Sequence, residues 1–165
     1  MLADTFHDVA SLCKHCDIWR QAGDTLVFTN GCFDLFHAGH AVYLDEARAL
    51  GDRLIVGINS DASVRRLKGP TRPIVPLVGR SMVINALHSV DAVIAFDSDT
   101  PIPIIHALKP DIHVKGGDYS DPTQLPEYPI VSDYGGRVAL LSFLDGFSTS
   151  SIIHAIHNGS NNRSH

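Results

Sequence analysis

The sequence predicts a doubly wound α/β fold, a parallel sheet in a single domain, and three observations carry that expectation. Short apolar runs bounded by turn residues alternate along the chain with stretches of helical period. Those runs are continuously apolar, as strands of a parallel sheet covered on both faces must be. The length, 165 residues with 44% hydrophobic and 19% charged, suits one domain with a substantial core.

Residues 4–22 read as an amphipathic helix with Val9, Leu12, Ile18 and Trp19 as its apolar positions and Gly23-Asp24 as its end, so 1–24 form an N-terminal helical segment. The domain proper spans 25–157. Thr25 to Thr29 is a first buried strand, Asn30 to Phe36 a loop, and Gly39 to Leu50 a helix stopped by Gly51. Arg53 to Ile58 is a second buried strand, and Ser60 caps the short helix after it. Pro70 and Pro73 make 69–73 a loop, because proline supplies no N–H and cannot continue a helix or ladder. A helix over 79–88 and a third strand, Ala92 to Phe96, follow. Thr100 caps the next helix with Pro101 at its first position, and Pro110 closes it after Lys109. Ile112 to Lys115 is a fourth strand, Gly116 to Tyr119 a turn, Val138 to Ser142 a fifth strand, and Ser148 to Ile156 a closing helix. Residues 158–165 read as a disordered tail.

Composition narrows the function classes. Thirteen basic against eighteen acidic residues give a net charge of −5, which argues against a general nucleic-acid binder. Arg65, Arg66, Lys68, Arg72 and Arg80 nevertheless cluster in one short region. No apolar run approaches the roughly 20 residues a membrane helix needs, and no basic-then-apolar leader opens the chain, so a cytoplasmic protein is expected. Cys13-x-x-Cys16 would need two further ligands to hold zinc, and no second pair with metal spacing follows.

The chemistry lies after the strands, where ligands of doubly wound folds bind. Neither a G-x-G-x-x-G nor a G-x-x-x-x-G-K-[ST] is present. Instead the first strand runs into Thr29-Asn30-Gly31-Cys32-Phe33-Asp34-Leu35-Phe36-His37-Ala38-Gly39-His40. Gly31 permits close backbone approach. His37 and His40, three apart at a helix start, share a face, and Gly39 leaves room between them. The free N–H groups of the helix end complete an anion site with two imidazole donors.

Gly31-x-Phe33-Asp34-x-x-His37-x-Gly39-His40 resembles the signature of the cytidylyltransferase-like nucleotidyltransferases, whose H-x-G-H histidines contact NTP phosphates. The runs Leu50–Val56, Asn59–Val64, Leu67–Pro73, Val114–Tyr119 and Gly146–Ser150 are similar to the adenylyltransferase domain of ADP-heptose synthesis proteins. The resemblance covers Thr25 to Ile156 and implies a Rossmann-like nucleotidyltransferase fold. It implies transfer of a nucleoside monophosphate from an NTP, ATP foremost and GTP or CTP otherwise, to D-glycero-D-manno-heptose 1-phosphate, for lipopolysaccharide or capsule assembly.

It further implies His37, His40 and Lys68 as catalytic residues. Thr29, Asn30, Gly31, Cys32, Phe33, Gly39, Lys115, Gly116, Ser148 and Thr149 would bind the nucleotide, and Asp34, Arg72 and Asp118 the sugar phosphate. Magnesium would ride mainly on the NTP phosphates with no protein metal site of its own. A homodimer is implied, for which the N-terminal helix with Trp19 is available. Two departures stand out: Gly79 precedes Arg80 where the family carries an acidic residue, and Ser148-Thr149-Ser150 replaces Ser-Thr-Thr. Other phosphorylated alcohols, such as glycerol 3-phosphate or phosphopantetheine, and a non-catalytic nucleotide-binding role are the competing readings. A class I aminoacyl-tRNA synthetase would need a longer chain.

Overall fold

Val27, Phe28, Leu54, Ile55, Val56 and Ile58 are all fully buried, because their strands lie at the centre of a sheet covered on both faces. The structure, a computed structural model, describes residues 4–6, 8–117 and 119–161. Its elements run β1 (Asp4–Phe6), α1 (Val9–Gln21), β2 (Leu26–Gly31), α2 (Ala38–Arg48), β3 (Arg53–Asn59), α3 (Asp61–Lys68), α4 (Leu77–Asn85) and β4 (Ala92–Phe96). They continue with α5 (Ile102–Leu108), β5 (Ile112–Gly116), a 3₁₀ turn (Pro122–Gln124), α6 (Tyr128–Asp133), β6 (Arg137–Leu141) and α7 (Thr149–Asn161). The six strands form one all-parallel sheet in the order β1-β4-β3-β2-β5-β6. The chain moves outward from β2 in one direction and then crosses to β5 on its other side. The crevice between β2 and β5 is therefore the topological switch point.

Two corrections concern the N-terminus. Helix does not begin at residue 4: Asp4–Phe6 is a strand paired in parallel with β4, Thr5 opposite Val93, and α1 starts at Val9. The edge of β4 supplies hydrogen-bond partners that a three-residue segment cannot advertise in its own sequence. Asp8 caps α1, its carboxylate accepting the Ser11 N–H at 2.8 Å. Trp19, considered for a dimer surface, is core, 8% exposed. At the other terminus α7 continues to Asn161, so residues 158–161, expected as tail, are helical. Residues 162–165 of that expected tail, and Asp118, lie outside the described residues.

The helices divide into two layers. Leu12, Cys16 and Trp19 of α1 meet Ile104, Ile105 and Leu108 of α5 over Phe28, Ile55 and Ile94. Tyr43, Leu44 and Ala47 of α2 and Ile84 of α4 cover the opposite face over Val27, Leu54, Val56 and Val93. Each buried Leu, Ile, Val or Phe side chain among them contributes about 1.5–3 kcal/mol by leaving water. Burial pushes the Cys16 thiol up to about 12, so it packs as a small apolar group. Gly51 makes the turn into β3 possible: a Cβ there would lie 2.7 Å from Val27 Cγ2 and 2.9 Å from the Thr25 carbonyl oxygen. Among the described residues no helix is long and apolar enough to cross a membrane.

Candidate active site

A cleft of about 640 Å³ opens over the carboxyl ends of β2, β3 and β5, at the switch point. It is lined from Asn30–Asp34, His37, Gly39 and His40 on one side to Lys68, Arg72, Lys115 and Gly116 on the others, with Ser148–Ser150 closing it. A smaller hollow of about 390 Å³ lies at the opposite end of the sheet. Its arginine, Arg20, already donates to the Leu108 and Lys109 carbonyls.

The histidine pair follows from helix geometry. His37 is the extended N-cap residue of α2 and accepts the His40 N–H at 2.9 Å on its carbonyl. Three-residue spacing stacks the two rings, with centroids 3.8 Å apart and planes 21° from parallel. Gly39 is needed between them, since a Cβ there would approach His37 Nδ1 to 3.0 Å. Nδ1 of each ring is buried without a partner, which leaves Nε2 as the nitrogen that faces solvent. Burial, then the neighbouring His37, pushes His40 down to about 4, and burial lowers His37 as well. Both rings are thus uncharged at neutral pH, each with one N–H.

The loop ahead of them is held against its own preferences. Phe33 and Leu35 have φ of 48° and 50°, in the left-handed region that side chains disfavour. Three anchors impose this conformation. The Asp34 carboxylate accepts Arg72 Nε at 2.6 Å and the N–H groups of Ile74 and Val75 at 2.8 and 2.9 Å. Arg80 reaches the Cys32 carbonyl at 2.6 Å, the Val75 carbonyl at 3.0 Å and Asp61 at 2.8 Å. The Thr149 hydroxyl donates to the Asp34 carbonyl at 2.7 Å.

Several expected roles change under this geometry. Asp34 does not present a free acceptor to substrate: burial opposes its charge, yet its donors hold the carboxyl below the usual range, and it braces Arg72. Thr29 is fully buried, bonded to Tyr43 and the Val114 carbonyl, because it points to the α2 face of β2 rather than into the cleft. Ser148 Oγ accepts the Ser151 N–H at 3.0 Å and so caps α7. With Thr149 turned to the loop, the first N–H groups of α7 are what remain for an anion. Burial raises the Cys32 thiol, which suits a packing residue. Arg80, counted among the clustered cations, is 2% exposed and structural. Arg66 is engaged by Asp97 and Asp99.

The lining cations differ. Arg72 is braced by Asp34 and Lys115 by Glu127 at 2.8 Å, whereas Lys68, at the end of α3, has no ion pair among the described residues. Glu127 was not legible in the sequence. It is 2% exposed, and although burial opposes its charge, Lys115 keeps it below its usual range. Its pairing spans the 3₁₀ turn, so no local pattern announces it. Phe143 and Phe147, on the loop between β6 and α7, also line the cleft.

Comparisons with known proteins bear on the family and the fold. A family described as cytidylyltransferase-like matches residues 28–154. The bifunctional protein HldE of Methylococcus capsulatus is 56% identical over 140 residues, 85% of this chain and 30% of that protein. The protein of the same name from Hahella chejuensis is 57% identical over 137 residues, 83% of this chain and 28% of that one. The chain thus spans about 30% of the length of these relatives. Among solved structures, the lipopolysaccharide core biosynthesis protein from Thermoplasma volcanium superposes with a TM-score of 0.60 and 31% identity, covering 74% of this chain and 98% of that one. Pantoate-beta-alanine ligase from Francisella tularensis, 14% identical, shares the fold with a TM-score of 0.60 over 93% of this chain and 76% of its own.

Proposed function

The chain belongs to the cytidylyltransferase-like family and is a nucleotidyltransferase, and on that basis we propose that it transfers a nucleoside monophosphate from an NTP, ATP foremost, to D-glycero-D-manno-heptose 1-phosphate. Pyrophosphate leaves, and the product is a nucleotide-activated heptose for lipopolysaccharide or capsule assembly in the cytoplasm. The observation that carries the reading is the convergence, at one switch-point cleft, of a stacked histidine pair, three cations and a helix start. The motif runs shared with heptose adenylyltransferases, and relatives named bifunctional protein HldE, support the acceptor.

The chemistry asks for what this cleft supplies. A sugar phosphate oxygen is already anionic, so its attack on the α-phosphorus needs no base. Among the described residues each carboxylate on the lining is engaged: Asp34 with Arg72, Asp99 with Arg66 and Glu127 with Lys115. The reaction needs positioning and relief of negative charge. His37 and His40 would donate Nε2–H to phosphate oxygens as charge develops on the leaving pyrophosphate. Lys68 would neutralise the reacting phosphates, Arg72 the sugar phosphate, and Lys115 with Gly116 would hold the nucleotide. The first N–H groups of α7 would receive the outer phosphates. Magnesium, which would screen the phosphate charges when bound, is proposed to enter on the NTP.

The test is pyrophosphate release with magnesium, both anomers of the heptose 1-phosphate, and ATP, GTP or CTP. Release with one pairing is expected. Folded protein inactive with every pairing overturns the heptose reading. A homodimer belongs to the same proposal, and a single-copy mass in sedimentation would remove it.

A further inference from the structure

The loop 142–148 between β6 and α7 carries two large apolar side chains that the phosphate chemistry leaves unused. Phe143 is 56% exposed and Phe147 49%, yet both line the cleft. Phe147 stands at the phosphate end, next to Ser148 and packed on Gly39, where an added Cβ would sit 3.3 Å from its own. Phe143 lies four residues back. Its ring rests on Gly116 at the end of β5, so closely that a Cβ on Gly116 would fall 2.6 Å from Phe143 Cε1 and 2.9 Å from Tyr43 Cε2. The Tyr43 and Phe143 centroids are 6.3 Å apart. One side of the Phe143 ring is thus backed by bare glycine backbone and a second aromatic, and the ring is otherwise open.

We propose that Phe143 is the stacking platform for the nucleobase of the NTP, a binding residue distinct from the phosphate-holding set. This rests on the nucleotidyl-transfer reading above. The direction follows from the loop: phosphates held by the histidine pair and the start of α7 fix one end of the nucleotide beside Phe147. The same loop then places Phe143 one nucleoside further along. An exposed ring beside glycine backbone suits a base, which needs a flat apolar face and peptide groups at its edge. Stacking is tolerant of base identity, because each base has a π-face. Phe143 would therefore add affinity for any NTP, and base choice would rest on the peptide edges around Gly116 and Gly117.

Calorimetric titration of the intact chain with ATP, and separately with inorganic tripolyphosphate, both with magnesium, tests this. Phe143→Ala should weaken ATP, GTP and CTP by roughly ten-fold or more. Tripolyphosphate, which has phosphates and no base, should bind it within about two-fold of wild type. Phe143→Trp should retain ATP binding. Gly116→Ala, which displaces the ring without removing it, should give the same split between ATP and tripolyphosphate. Circular dichroism confirms that each variant is folded. Wild-type ATP affinity in Phe143→Ala overturns the proposal, as does equal loss of ATP and tripolyphosphate. A rise in KM confined to the sugar phosphate would also overturn it. Failure of the wild-type protein to bind either ATP or tripolyphosphate would instead overturn the nucleotide reading on which it rests.

Discussion

The proposed chemistry concentrates, at the scale of single residues, on His40. Its Nε2 faces the cleft, while its Nδ1 is buried with no partner. His40→Ala should cut turnover by on the order of 100-fold or more through loss of a donor to the developing charge. Its circular dichroism should match wild type, and wild-type pyrophosphate release by this variant would remove the assignment. Protonation gives a second expectation. The folded His40 titrates at about 4, against an ordinary 6.5, and His37 is lowered too, so between those values the unfolded chain binds more protons than the folded one. Stability from these groups is present above pH 6.5 and is lost as the pH falls toward 4. Urea midpoints across that window should decline, and less steeply in His40→Gln, which cannot titrate. A bound triphosphate reverses the preference, because the nearby anion favours imidazolium. NTP binding near pH 6 should therefore take up protons, visible as calorimetric heats that depend on the buffer's ionisation enthalpy. Buffer-independent heats would show that the rings stay neutral.

Among the elements, the segment from α3 to α4 is the frame of the site. Arg80 joins α4, the Cys32 loop and α3 through three acceptors while almost fully buried. Arg80→Ala would leave those acceptors without their donor and should cost about 3 kcal/mol, read from urea unfolding. The KM for the sugar phosphate should rise with it, because Arg72 and the Asp34 loop lose their support. Gly79, the departure from the family pattern, sits where a Cβ would meet Val75 Cγ1 at 3.0 Å, close to that junction. Which elements could be read in advance has a physical explanation. Strands β2 to β5 are buried on both faces and announce themselves as apolar runs. The H-x-G-H loop is local, so its spacing alone places two rings on one face. Strand β1 is three residues long and exists because β4 offers an edge. Helix α6 has six residues, too few for a period to show. The positions of Thr29, Asp34 and Glu127 depend on neighbours 14 to 85, 38 to 41 and 12 residues away. A motif match could mark the first two but could not say which way their side chains turn.

Across the whole molecule, two apolar layers share one sheet, so neither persists without the other. The sole tryptophan, Trp19, reports the α1 layer, whereas far-UV dichroism reports every helix. Urea transitions followed by the two signals should coincide, and saturating NTP should move both midpoints upward together. Separate midpoints would mean that the α1 layer opens on its own. The protein carries a net charge of −5, and of the cations lining the cleft Arg72 and Lys115 are paired while Lys68 has no ion pair among the described residues, so Lys68 is the group left to draw phosphate in. The bond from Thr149 to the Asp34 carbonyl joins positions 115 residues apart. That separation sets a timetable for synthesis. A growing chain that has emerged as far as Leu141 possesses every described strand and both histidines, yet still lacks α7, whose Thr149 holds the loop after β2 and whose amides are proposed to receive the phosphates. Catalytic competence should wait for α7, so a ribosome stalled ahead of it would display a folded sheet that is still silent as an enzyme.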